Sequence, residues 1–154
     1  MFEQVRRIDR EIDQDECIEV IKKNNVGILS LNNTAGHPYG VPLNYMFWDG
    51  ALYFHCAKEG KKLNLISSDD RACFVIIGKN EVVPNELTTY YQSVIIFGNI
   101  EKITDDGTKN DILLRFGEYF GCDSEMNKRY VEKKTAACDV LKFEIAHISG
   151  KMKK

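Results

Sequence analysis

An Asp-Gly pair between two runs of apolar and aromatic residues constrains the fold of this chain more than any other feature. Asp49-Gly50 separates residues 39–48 from residues 51–57. The second run alternates so that Tyr53 and His55 face one side while Phe54 faces the other, as in a β-strand. Asp-Gly readily adopts the positive φ angles of the turn that joins two antiparallel strands. The sequence therefore predicts a β-hairpin over residues 39–57.

The same patterning predicts a mainly β fold with helices at its two flanks. Asp13 and Glu16 form a capping-box pattern that begins a helix, and Asn24 ends it. Further helices are predicted over residues 58–68, 108–120 and 124–135. Six strands are predicted, at residues 26–31, 39–48, 51–57, 72–77, 93–104 and 140–148. Because these strands follow one another in mostly meander order, we predict a small, six-stranded antiparallel barrel.

Length and charge fit a single small domain over residues 1–154. Lys and Arg number 21 against 23 Asp and Glu, and the resulting net charge of −2 argues against nucleic acid and anionic membranes as partners. No apolar run is long enough to span a bilayer, and the charged N-terminus is unlike a signal peptide. We expect a soluble, cytoplasmic protein.

Several common chemistries lack their sequence signatures. The five cysteines are widely spaced and include no Cys-x-x-Cys pair, which favours reduced packing thiols over a zinc site or a disulfide framework. The three histidines are far apart, so no metal site is expected. Dinucleotide-binding, P-loop, zincin and hydrolase motifs are also missing.

A lysine pair at the start of the predicted helix 58–68 is the strongest candidate for a binding site. Lys61 and Lys62 follow Gly60 and occupy the first helical turn. A helix N-terminus binds phosphate well, but cations there repel the helix dipole. The pair is explained either by a bound anion or by a solvated surface cluster.

Pro42 is unusual within a predicted strand, because proline cannot donate to the hydrogen-bond ladder and belongs at an edge or a bulge. Gly40 beside it indicates an approachable backbone. Asn44 offers both a donor and an acceptor, which suits the imide edge of a flat heterocycle. The simpler interpretation is an edge strand with a bulge.

Taken together, these segments resemble the nitroimidazole-resistance-type flavoproteins of the pyridoxamine 5′-phosphate oxidase-like, FMN-binding split-barrel superfamily. The resemblance spans nearly the whole chain, up to residues 148–151. It rests on residues 39–45 (YGVPLNY), on Asp49-Gly50, on residues 53–62 (YFHCAKEGKK) and on residues 91–98 (YQSVIIFG).

The resemblance implies FMN as cofactor and assigns roles to individual residues. The strand carrying Val41, Pro42, Leu43 and Asn44 would line the isoalloxazine ring. His55 and its strand neighbours, among them Ala57, would lie beside the ribityl chain and ring, Lys61 and Lys62 would hold the phosphate, and Ser93 would lie near the ring. Members of this superfamily are homodimers with FMN at the subunit interface, so we expect a second copy of this chain to complete the site.

Departures from the oxidase pattern narrow the expected activity. The arginine that starts the first flavin strand in the oxidase is absent, and so is its arginine-rich substrate motif before Gly98. Little here would hold the phosphate of a vitamin B6 substrate. We instead expect an FMN-dependent oxidoreductase that reduces a small, flat acceptor such as a nitroheterocycle. His55 would act as a proton donor, as a hydrogen-bond partner of the reduced ring or as a structural residue. The alternatives are a non-catalytic flavin-binding, flavin-storing or redox-sensing module and a haem-binding protein.

Overall fold

The computed structural model describes residues 2–154, which form one eight-stranded sheet with four α-helices around it. The strands are β1 (Glu11–Ile12), β2 (Val26–Leu31), β3 (Tyr39–Asn44), β4 (Met46–Trp48), β5 (Ala51–Ala57), β6 (Arg71–Val83), β7 (Thr88–Lys102) and β8 (Cys138–Lys153). The helices are α1 (Gln14–Lys23), α2 (Lys61–Ser68), α3 (Asp106–Tyr119) and α4 (Ser124–Lys134). The predicted mainly β class with flanking helices is confirmed.

The sheet curls into a barrel because its two ends belong to nearly one strand. The strand order is β3-β2-β6-β7-β8-β5-β4, and all pairings are antiparallel. Only Tyr45 separates β3 from β4. The chain therefore passes directly from one end of the sheet to the other and closes the ring.

The predicted number of six strands is wrong, since the sheet has eight. One extra strand arises because the predicted strand over residues 39–48 is interrupted at Tyr45, whose backbone N–H donates to the Asn25 carbonyl instead of a sheet neighbour. The other is β1, a two-residue strand that pairs with β8 and is too short to leave a periodic pattern.

The predicted local signals are confirmed where they were strongest. Asp13 caps α1 by accepting from the Glu16 backbone N–H at 2.8 Å, and the Glu16 side chain accepts from the Asp13 backbone N–H in return. Asp49 and Gly50 have φ angles of 50° and 73°, as a tight hairpin turn requires. The hairpin of β4 and β5 therefore forms as the Asp-Gly pair indicates.

The core fills the barrel interior, and a second apolar layer lies outside it. Inward side chains of β2, β5, β6, β7 and β8 pack with α1, and the largest include Leu29, Phe54, Phe74, Ile96 and Phe143. The outer layer joins β5 and β8 to α3 through Tyr53, Val140, Ile112 and Phe116, among others. Helix α3 therefore covers the outer face of β5. No helix in residues 2–154 is long and apolar enough to cross a membrane.

Candidate functional site

The barrel has a gap between two strands that run side by side without pairing. The ladder between β4 and β5 begins at Trp48 and Ala51 and ends at Met46 and Tyr53. Beyond that point, in residues 2–154, β3 pairs with β2 alone and the end of β5 pairs with β8 alone. We call the gap between β3 and residues 54–57 the seam. It leaves one edge of each strand free for a ligand.

The first turn of α2 lies across this seam. The Lys61 ammonium sits 5.1 Å from the centre of the Tyr39 ring on β3. On the other side, Lys62 is close enough to Cys56 of β5 to lower the pKa of its thiol, although burial has the larger effect and raises it. Behind them Leu63, Leu65 and Ile66 pack against the barrel core. The lysine pair is thus held between both edges of the seam.

The N-terminus of α2 suits a phosphate. Gly60 precedes the helix with φ +130° and ψ 166°, a conformation open to glycine, and no side chain in the described part of the chain caps the helix. The first backbone N–H groups of a helix have no partner within the helix. Within residues 2–154, neither Lys58, Lys61 nor Lys62 lies within ion-pair distance of a carboxylate. Free donors and uncompensated positive charge are what a phosphate group requires.

Strand β3 presents alternating residues to the two sides of the barrel wall. Val41 and Leu43 pack against the core, so only their main chain can contact a ligand in the seam. Pro42 and Asn44 are exposed on the outer side. The Asn44 amide already donates to the Asn25 carbonyl at 2.9 Å, which leaves its oxygen and second N–H free. The expectation that Pro42 lies on an edge strand is confirmed.

His55 and Ala57 lie on the outer side of β5, where α3 approaches. The His55 ring packs edge-on against Phe116 of α3, with 5.2 Å between ring centres. Desolvation by this packing lowers the pKa of His55, so the imidazole is largely neutral at pH 7. The hydrogen bonds formed among residues 2–154 include none from the His55 ring. Its ring nitrogens are therefore available to a bound molecule.

Ser93 lies away from the seam. It lies on the outer face of β7, opposite Ile77 and Lys151. Strands β2 and β6 separate it from β3, a distance of roughly 14 Å at ~4.8 Å per strand. Within one chain, Ser93 and the lysine pair do not form a single site.

The structure has a cavity beside His55 that the sequence patterns did not predict. It has a volume of about 400 Å³ and lies between α3, α4 and the ends of β5 and β8. The apolar residues of α3 that line it, such as Phe116 and Phe120, have the spacing of an ordinary buried helix face. Only the packing of two helices reveals that this face is not completely covered.

These features define the class of the protein: an antiparallel split β-barrel with a cationic helix N-terminus at the split. The sequence matches the model of the family described as pyridoxamine 5′-phosphate oxidase over residues 13–152. The chain therefore belongs to this family, and the superfamily inferred from sequence is confirmed. A search of curated proteins finds none that matches.

Three solved structures illustrate the shared fold. A proposed 5-nitroimidazole antibiotic resistance protein from Bacteroides thetaiotaomicron is 20% identical, with a TM-score of 0.75 over 92% of this chain and 85% of that one. An FAD-binding protein from Mesorhizobium loti is 22% identical, with a TM-score of 0.67 over 94% and 98%. An FAD- and haem-binding protein from Mycobacterium smegmatis is 19% identical, with a TM-score of 0.76 over 94% and 74%. At these identities the similarity concerns the fold.

Proposed function

We propose that this chain binds FMN in the seam and acts as an FMN-dependent oxidoreductase on a small, flat acceptor. The observation that carries the proposal is the first turn of α2, where Lys61 and Lys62 lie between the free edges of β3 and β5. Two of the similar structures are flavin-binding proteins, which is consistent with a flavin here. FMN has one terminal phosphate and one flat ring, and the seam offers an anion site and an exposed strand edge.

Each part of the seam would hold a different part of FMN. The N–H groups and ammonium groups of Lys61 and Lys62 would bind the phosphate. The ribityl chain would run past Ala57 and His55, and the ring would lie against the main chain of Val41 and Leu43 and the side chains of Pro42 and Asn44. A bound FMN supplies hydride transfer; the protein supplies orientation and local electrostatics.

His55 would contact the bound electron acceptor. Its neutral imidazole has a free nitrogen, and it lies on the outer side of β5, where it lines the cavity under α3. A neutral imidazole can donate a hydrogen bond, and its protonated form remains accessible at mildly acidic pH. It would therefore orient the acceptor and deliver a proton to it during reduction.

The acceptor reaction gives a direct test of enzymatic activity. Chemically reduced, FMN-loaded protein is expected to reduce a 5-nitroimidazole faster than free reduced FMN at the same concentration. His55→Gln should lower that rate by about 100-fold, the size of a lost acid–base contribution, while FMN stays bound. His37→Gln, in the exposed turn before β3, is the matched control and should have no effect. Equal rates for the protein and free FMN would refute the enzyme and favour a flavin-storing or redox-sensing module.

We also propose that the working unit is a homodimer with FMN at the interface. The outer face of the sheet carries Val26, Ile28, Ile77 and Ile95, which are 49%, 41%, 59% and 36% exposed. A contiguous apolar face of this kind is typical of a protein interface. Ser93 lies on the same face, so it would reach the flavin bound to a second copy.

The dimer is tested by mass in solution. Light scattering should give twice the chain mass of 17.7 kDa. Ile28→Lys places a charge in the apolar face and is expected to shift the mass toward the monomer and to weaken FMN binding together. Met126→Lys, at a 64% exposed position on α4, should leave both unchanged. A monomeric wild-type protein that binds FMN fully would contradict the shared site.

A further inference from the structure

The cavity beside His55 is distinct from the seam and has its own chemical character. Its lining comes from α3, α4 and the turn that precedes β8, in addition to His55. The lining residues are His55, Leu113, Phe116, Gly117, Phe120, Cys122, Asn127, Tyr130, Val131, Lys134, Ala137 and Cys138. A volume of about 400 Å³ falls in the range of small-molecule sites. Most of this lining is apolar, so the body of a ligand would be apolar as well.

The cavity lining carries a positive charge but no acid. The lining includes Lys134 but no carboxylate. Burial lowers the pKa of His55 and raises the pKa of the Cys138 thiol, so both are uncharged at neutral pH. Among residues 2–154, no acid lies within ion-pair distance of Lys134. The cavity therefore has one positive charge without an ion-pair partner, on the solvent-exposed side chain of Lys134.

A second lysine, in the first turn of α3, adds to the positive charge near the cavity. Lys109 is only 5% exposed and forms no ion pair with the described residues. It lies near Cys138, where its charge lowers the pKa of the thiol against the larger opposite effect of burial. An anionic group in the cavity would therefore lie near a second positive charge.

We propose that this cavity binds a small organic acid, with an apolar body between Phe116, Phe120 and Val131 and a carboxylate paired with Lys134. The charge of the lining selects an acid over a neutral molecule of the same shape. Because His55 lines the cavity, the ligand would contact the residue assigned above to acceptor chemistry. Binding itself does not depend on FMN.

The test compares two probes of nearly equal shape by calorimetry on the protein as purified: 4-phenylbutyrate and its uncharged amide. The acid is expected to bind about 5-fold more tightly, the upper size of one ion pair with a solvent-exposed lysine. Lys134→Gln should remove this preference and leave amide binding unchanged. Lys133→Gln, at a neighbouring lysine that is exposed like Lys134 but does not line the cavity, should retain the preference. Leu113→Trp fills the cavity and should abolish binding of both probes, with circular dichroism as the check on folding.

Three results would overturn the proposal: equal affinity for acid and amide, no binding of either probe at millimolar concentration, or an acid preference that survives Lys134→Gln. Failure of FMN to bind would leave these titrations unaffected. The proposed flavin site and the acid site are therefore judged by separate measurements.

Discussion

FMN binding to the Lys61→Ala, Lys62→Ala double variant is expected to be at least about 100-fold weaker than binding to the wild-type protein. A hydrogen bond to a charged group contributes about 1.5–3 kcal/mol when buried, and less where solvent screens it. Lys61 is exposed and Lys62 half-buried, so each is assigned the low end of this range, and the sum of about 3 kcal/mol equals about 100-fold in Kd. Fluorescence quenching of FMN on titration with protein measures the change.

Riboflavin is the internal control for this prediction because it lacks the phosphate. Its affinity should be the same for the wild-type protein and the double variant. Lys22→Ala, Lys23→Ala is the matched control variant, since this second adjacent lysine pair lies in the last turn of α1 and, among residues 2–154, forms ion pairs only with Glu19. Equal loss of FMN and riboflavin binding in the Lys61, Lys62 variant would contradict a phosphate role and indicate a disturbed helix instead.

Tyr45→Ala is expected to cause the largest loss of stability of any single change considered. Tyr45 is fully buried at the point where β3 becomes β4. Its hydroxyl donates to the Ile21 carbonyl of α1 at 2.6 Å, and its ring packs edge-on against Phe74 with 5.2 Å between centres. Removing a buried aromatic ring costs about 3–5 kcal/mol. For a chain of this size, that lowers Tm by roughly 6–20 °C.

Two further variants separate the contributions at this position. Tyr45→Phe keeps the ring and removes the hydroxyl, so a loss of about 1 kcal/mol is expected. Tyr130→Ala, at a tyrosine that is 57% exposed, should change the unfolding free energy by less than about 0.5 kcal/mol. Urea denaturation measures all three. A Tyr45→Ala protein as stable as the wild type would show that the barrel does not close through this residue.

Much of the fold follows from local sequence signals, and the remainder depends on contacts between distant residues. The capping box at Asp13 and the Asp49-Gly50 turn act within a few residues, so the sequence predicts them directly. The interruption at Tyr45 depends on a carbonyl of Asn25, twenty residues earlier. The hairpin that extends β6 and β7 from Lys79 to Gln92 carries mostly polar residues, none of them fully buried, and its strand pairing leaves no apolar alternation.

As with the fold, the sequence predicts the local part of the candidate site but not the part that depends on tertiary packing. Lys61 and Lys62 are adjacent in sequence and stand out because cations at a helix start are unfavourable. Their position across the seam and their separation from Ser93 depend on tertiary contacts between residues distant in sequence. The cavity under α3 and α4 could not be predicted, because Phe116 and Phe120 have the same pattern whether a neighbouring helix covers them completely or leaves space.

The visible absorption spectrum of the purified protein, before and after titration with FMN, decides whether this chain is a flavoprotein. We expect the two flavin bands, shifted from those of free FMN, with saturation at one FMN per chain and with the flavin retained on gel filtration. A protein that shows no bound flavin after FMN is added, or one that instead shows the Soret band of haem, would contradict this expectation.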